Sequence, residues 1–99
     1  MTKYFFSNKA VEDLSSIWDY TYQVWSENQA DKYYELIIET CKKISSNSEI
    51  GKNYRDISTE IFGFHVGKHI IFYRIITPKE IEIIRILHDG MDLKIRISE

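Results

Sequence analysis

The chain opens on Tyr4-Phe5-Phe6, a short aromatic run that suits a strand. The spacing of apolar residues then changes. Val11, Leu14, Trp18, Thr21 and Trp25 recur at steps of three and four and share one face of a helix beginning near Ala10, with Ser7 or Asn8 as its cap. Glu12, Ser16, Asp19 and Gln23 fall on the opposite arc, and Ile17, Tyr20 and Val24 form a flanking apolar stripe. Ser26-Glu27-Asn28-Gln29 has capping-box spacing and starts a second helix, whose inner face reads Ala30, Tyr33, Tyr34, Ile37, Cys41 and Ile44. The short link at Trp25–Glu27 makes the two helices antiparallel neighbours. Ser45 to Ser48 ends the second helix and Gly51 completes a turn.

The remaining residues read as sheet. Glu60 to Val66 alternates roughly, and Gly67-Lys68 is a tight turn. His69 to Ile76 is almost continuously apolar and β-branched, which predicts a strand covered on both faces. Thr77-Pro78-Lys79-Glu80 turns the chain, and Ile81 to Leu87 is the last strand. Met91 to Ile97 fits either one or two helical turns or a short extended piece. The expected fold is α+β in a single domain over residues 1–99: an N-terminal strand and an antiparallel helix hairpin packed on a mainly antiparallel β-sheet.

Composition narrows the class. Hydrophobic residues at 43% and charged residues at 28% are ordinary for a globular protein, and 14% aromatics help a small core bury enough apolar surface. The net charge of −2 argues against direct nucleic-acid binding, which draws on a basic excess. Cys41 is the only cysteine, so an internal disulfide is excluded. No apolar run has the length of a signal peptide or a membrane span, and the expectation is a cytoplasmic protein with no membrane partner.

Four blocks then carry a family likeness. Asp13-Leu14-(x)2-Ile17-Trp18-Asp19-Tyr20 resembles the first-helix signature of ParE toxins, and Trp25-(x)3-Gln29-Ala30-(x)2-Tyr33 their helix junction. Gly67 to Arg74 resembles their central strand, and Ile83-(x)-Arg85-Ile86-Leu87-His88-(x)2-Met91-Asp92 their closing motif. The blocks stand in order across almost the whole chain, which is similar to the RelE/ParE superfamily of plasmid-stabilisation toxins. The resemblance implies a toxin of a type II toxin–antitoxin system, neutralised by a cognate ParD-like antitoxin and acting by protein–protein inhibition of DNA gyrase, without a cofactor. The stripe Ile17, Tyr20 and Val24 is the candidate antitoxin surface. His88, Met91, Asp92, Lys94 and Arg96 are candidate target contacts.

Two alternatives stay open. The sister RelE branch cuts mRNA on the ribosome, which needs a base, cations for the phosphate and an acid. Glu60, Arg74 with Arg85, and His88 are the residues that could fill those roles, although their spacing is undiagnostic and each also reads as a structural or solvated group. The second alternative is a non-toxic relative that only binds antitoxin. His65, His69 and His88 lack the companion ligand spacing of a zinc site, so no metal is expected. Cys41 reads as a core residue and not a nucleophile. Arg85, set among isoleucines on the parity of Ile81 and Ile83, needs a carboxylate or carbonyl partner if buried, for which Asp92 is a candidate; the alternative is that it faces the target. Trp18, Tyr22 and Trp25 are expected to be mostly core.

Overall fold

A computed structural model describes residues 3–98, and of Lys94, Ile95 and Ser98 the backbone alone. The elements run β1 (Lys3–Phe6), α1 (Asn8–Val24), α2 (Glu27–Ser46), a 3-10 turn (Ser48–Ile50), β2 (Lys52–Asn53), β3 (Phe62–Val66), β4 (His69–Thr77), β5 (Glu80–His88) and α3 (Leu93–Ser98). The five strands form one sheet in the order β1-β5-β4-β3-β2, antiparallel throughout except where β1 runs parallel to β5.

The caps lie where the side chains dictate. Ser7 Oγ accepts the Ala10 amide at 3.0 Å and starts α1, and Ser26 Oγ accepts the Gln29 amide at 3.1 Å and starts α2. The face of α1 that meets the sheet is Ala10, Leu14, Ile17 and Thr21. This corrects the expected core. Trp18 is half-buried, stacked on Tyr22 and donating its indole N–H to Asp31 of α2 at 3.0 Å, while Tyr22 is exposed and Trp25 stands 73% exposed. Two three-and-four ladders run along α1, and small Ala10 lets the helix approach on the one carrying Ile17. Ile17 therefore leaves the flanking stripe for the core, and Tyr20 and Val24 remain in solvent.

Each face of the sheet has its own apolar cluster. On the helix side Ile71, Tyr73, Ile81, Ile83 and Ile86 pack against Leu14, Ile17, Ile37, Cys41 and Ile44. On the other side Ile61, Ile70, Phe72 and Leu87 are covered by Tyr54 and Ile57 of the β2–β3 connection and by Leu93 and Ile97 of α3. The tail is thus helical and belongs to the second core. Double coverage of β4 extends only through Ile70 to Tyr73; Arg74 to Thr77 are exposed.

A bulge in β5 resets its faces. Phe72 pairs with Arg85 and Tyr73 with Ile83, leaving Ile84 as the extra residue. Arg85 consequently lies opposite Phe72, off the face shared by Ile81 and Ile83 where strict alternation puts it. Gly67 and Gly51 are among the close approaches that need glycine. Gly67 has φ +56°, and a Cβ there would come within 2.6 Å of the Tyr33 hydroxyl. At Gly51 a Cβ would fall 2.1 Å from the hydroxyl of Tyr73.

That hydroxyl ties the sheet to the end of the helical hairpin: it accepts the Gly51 amide at 3.0 Å and donates to the Ser48 carbonyl at 2.6 Å. Tyr73→Phe leaves both backbone groups short of a partner, and urea unfolding should show a loss of roughly 1–3 kcal/mol. A loss near zero would mean that water replaces the hydroxyl.

Candidate functional site

β1 ends at Phe6, opposite Ile83, so the second half of β5 has no strand on that side. The start of α1 closes this edge. The Ser7 amide donates to the Ile83 carbonyl at 2.9 Å, Ser7 Oγ donates to the Ile84 carbonyl at 2.7 Å, and Asp13 Oδ2 accepts the Ile86 amide at 3.0 Å. The Asp13 carboxylate also takes two bonds from Arg85, Nε at 2.7 Å and Nη2 at 2.9 Å, and Nη1 of the same guanidinium donates to the Arg96 carbonyl at 2.6 Å. One half-buried arginine thereby holds α1, β5 and α3 in fixed relation. The carboxylate that grips Arg85 is Asp13; the closing motif, which contains Asp92, does not reveal it.

Above this junction lies a cleft of about 390 Å³, walled by Ile17 and Tyr20 of α1, Ile86, Leu87 and His88 of β5, and Met91 and Arg96 beyond it. It unites residues that the sequence placed in separate roles. Ile17 and Tyr20 from the antitoxin stripe face His88, Met91 and Arg96 from the target-contact set. Val24 is exposed one turn further along α1, Asp92 is exposed at the start of the tail, and the side chain of Lys94 lies outside the described residues.

A second hollow adjoins the first, sharing Tyr20, His69 and His88 and continuing to Trp25, Gln29, Tyr33 and Lys68. His69 and His88 are cross-strand partners whose rings meet edge to face at 5.5 Å. His69 Nδ1 lies 2.7 Å from the Tyr33 hydroxyl, which accepts the Lys68 amide at 3.1 Å. Burial, and secondarily the charge of His88, pushes His69 down to about 4, so it is neutral at physiological pH. Burial pushes the Tyr33 phenol up. Asp89 receives His65 Nε2 at 2.9 Å, and this bond holds its carboxyl below the usual range.

The residues considered for RNA cleavage are split. Glu60 and Arg74 line a hollow of about 400 Å³ beside Phe62, Ile75 and Ile76 at the open end of β4, and Arg74 is paired with Glu82 at 2.6 Å. Arg85 and His88 line the cleft described above, with Arg85 bound to Asp13. Glu60 lies in the turn before β3 and not within the strand. Among the described residues no group of three or more His, Cys, Asp or Glu is placed to hold a metal ion. Cys41 is fully buried, and burial pushes its thiol up to about 12. No helix of the described residues is long and apolar enough to cross a membrane.

Asp13, Tyr33 and Lys68 were not marked by sequence as site residues. Asp13 lies in a helical stretch where a carboxylate is unremarkable, and only the demand of Arg85 for a counter-charge hints at it.

Residues 4–93 match the family described as the ParE toxin of the type II toxin–antitoxin system parDE. Toxin ParE1 of Mycobacterium tuberculosis is 30% identical over 92 residues, covering 93% of this chain and 94% of that protein. Toxin ParE1 of Caulobacter vibrioides is 30% identical over 98 residues, covering 99% and 100%. A solved structure described as the chromosomal ParDE TA system from P. aeruginosa shares the fold, with a TM-score of 0.74 and 22% identity over 89% of this chain and 96% of that one.

Two substitutions test the junction. Asp13→Ala strands a guanidinium whose side chain is only 12% exposed and should cost about 3 kcal/mol in urea unfolding. Arg74→Ala breaks an open ion pair and should cost less than about 1 kcal/mol. Equal losses would deny the Asp13–Arg85 pair its structural role. Cys41 should resist iodoacetamide at pH 8 in the native protein and react on unfolding; rapid native alkylation would contradict its burial.

Proposed function

The chain belongs to the ParE toxin family, and from that membership we propose that it is the toxin of a type II toxin–antitoxin system, bound by a ParD-type antitoxin and acting on DNA gyrase by protein–protein inhibition. This reading sets its work in the cytoplasm. The observation that carries inhibition over catalysis is the division of the cleavage candidates between two cavities, with Glu60 and Arg74 in one and Arg85 and His88 in the other. General acid–base chemistry on one phosphodiester needs base, acid and cation around a common centre. Arg85 is further committed to Asp13 and the Arg96 carbonyl, which leaves it poorly available for a phosphate.

The antitoxin part draws support from the surface beside α1. Tyr20 is 67% exposed, and Val24 and Trp25 are exposed just beyond it, next to a cleft walled by Ile17, Leu87 and Met91. A row of exposed apolar side chains running into a hollow suits a partner segment that lays alternate side chains into it. The fold shared with the protein of the P. aeruginosa ParDE system agrees with such a partner.

Purified protein should reduce the supercoiling of relaxed plasmid by gyrase and ATP, or accumulate cleaved plasmid, and added antitoxin should reverse the effect. Untouched gyrase in the presence of folded protein would reject this target and direct the test to ribosome-dependent mRNA cleavage. Tyr20→Asp should weaken antitoxin binding by more than about tenfold, a loss of about 1.4 kcal/mol, while circular dichroism stays unchanged. Unaltered affinity would remove Tyr20 from the interface.

A further inference from the structure

The two hollows beside α1 meet at a pair of imidazoles, and neither hollow is complete without them. His69 and His88 are held together by strand register, and the inner ring is fixed by the Tyr33 hydroxyl. Rings 5.5 Å apart in a half-buried setting resist carrying two charges. The low proton affinity of His69 expresses this, since burial and the charge of its neighbour act in the same direction.

The apolar walls around the pair point to an apolar occupant. From α1, Asp13 faces it, and its carboxylate is closed on Arg85 of β5. From the turn after β5, Asp89 adds a negative charge, with one oxygen 2.9 Å from His65 of β3 and the other 3.7 Å from Nδ1 of His88 itself. Lys68 from the β3–β4 turn and Arg96 from α3 oppose those carboxylates at the two ends. Phenols of Tyr20 on α1 and Tyr33 on α2 complete the surround. With Asp13 closed on Arg85, Asp89 stands against Lys68 and Arg96, an excess of one positive charge that disfavours a protonated imidazole between them. The walls between them are Ile17, Ile86, Leu87 and Met91.

We infer that occupancy of this cleft is proton-linked: the antitoxin segment that fills it places apolar side chains against the His69–His88 pair, and mild acid releases it. The inference rests on the antitoxin reading above and adds its regulation. Apolar contact strips water from His88, whose side chain is about half exposed in the free protein. Desolvation penalises the charged imidazole, so the occupied cleft binds protons more weakly than the empty one. The linkage sign follows. A free form that takes up protons the complex rejects is favoured as pH falls, and the dissociation constant rises.

The test is calorimetric titration of the full chain with the antitoxin encoded beside its gene, at pH 7.5 and 5.5. A linkage of one proton weakens binding by up to about tenfold per pH unit in the titrating range, and about tenfold across this interval is expected. Repeating the titration near pH 6 in buffers of different ionisation enthalpy should show proton release on binding. His88→Gln, at an exposed strand end, should flatten the wild-type slope to less than about twofold. His65→Gln, which removes the histidine facing Asp89 outside both hollows, should leave the slope in place. Binding that is unchanged or tighter at pH 5.5, or a His88→Gln protein with the wild-type slope, overturns the proton link while leaving the antitoxin reading intact. Absence of binding at pH 7.5 overturns the antitoxin reading, and this inference with it.

Discussion

The bidentate contact between Asp13 and Arg85 is the constraint on which the site depends. β1 is four residues long and cannot cover β5 to its end, so the amide of Ile86 would otherwise face an open edge. Asp13 answers that amide and the guanidinium with one carboxylate, and the guanidinium reaches on to the backbone of α3. Removing two charges from water offsets much of their attraction, so the pair is better understood as setting position than as supplying net stability. It decides how far α1 stands from β5 and where α3 turns back. The cleft is the space left between the three elements so fixed.

Much of this architecture was legible in the residues. The aromatic run at Tyr4–Phe6, the capping serines and the β-branched strands each announce their element through local chemistry, and the sheet needs the helices for cover. What escaped was governed by tertiary choice. β2 is two residues paired only with β3, too short to leave a periodic signal. On α1, two apolar ladders were equally good by spacing, and the sheet selects the one whose first residue is Ala10, which exposes Tyr22 and Trp25. The bulge at Ile84 moves Arg85 off the face that strict alternation predicts, and no residue type there signals an inserted position.

The site was legible in pieces. The helical stripe pointed to Ile17 and Tyr20, the closing motif to His88 and Met91, and the tail to Arg96, all of which meet at one cleft. Their meeting could not be read from sequence, because it depends on β5 running alongside α1, a pairing remote in the chain. The same distance conceals Asp13 as the partner of Arg85, 72 residues away. The cleavage candidates are divided by the same geometry: Glu60 and Arg74 belong to one end of the β4–β5 layer, and His88 to the other.

The joining of first and last segments bears on how the protein emerges from the ribosome. Ser7 closes on Ile84 across 77 residues, and among the described residues β1 has no partner strand other than β5. While the chain is being synthesised, α1 and α2 can form a hairpin, but the sheet that buries their inner faces arrives later, and β5 last of its strands. The cleft therefore has no existence in a nascent chain that has not yet reached β5 and the residues as far as Arg96. The helical hairpin that emerges first thus waits with its inner face uncovered, and the candidate cleft takes shape only once β5 has followed it.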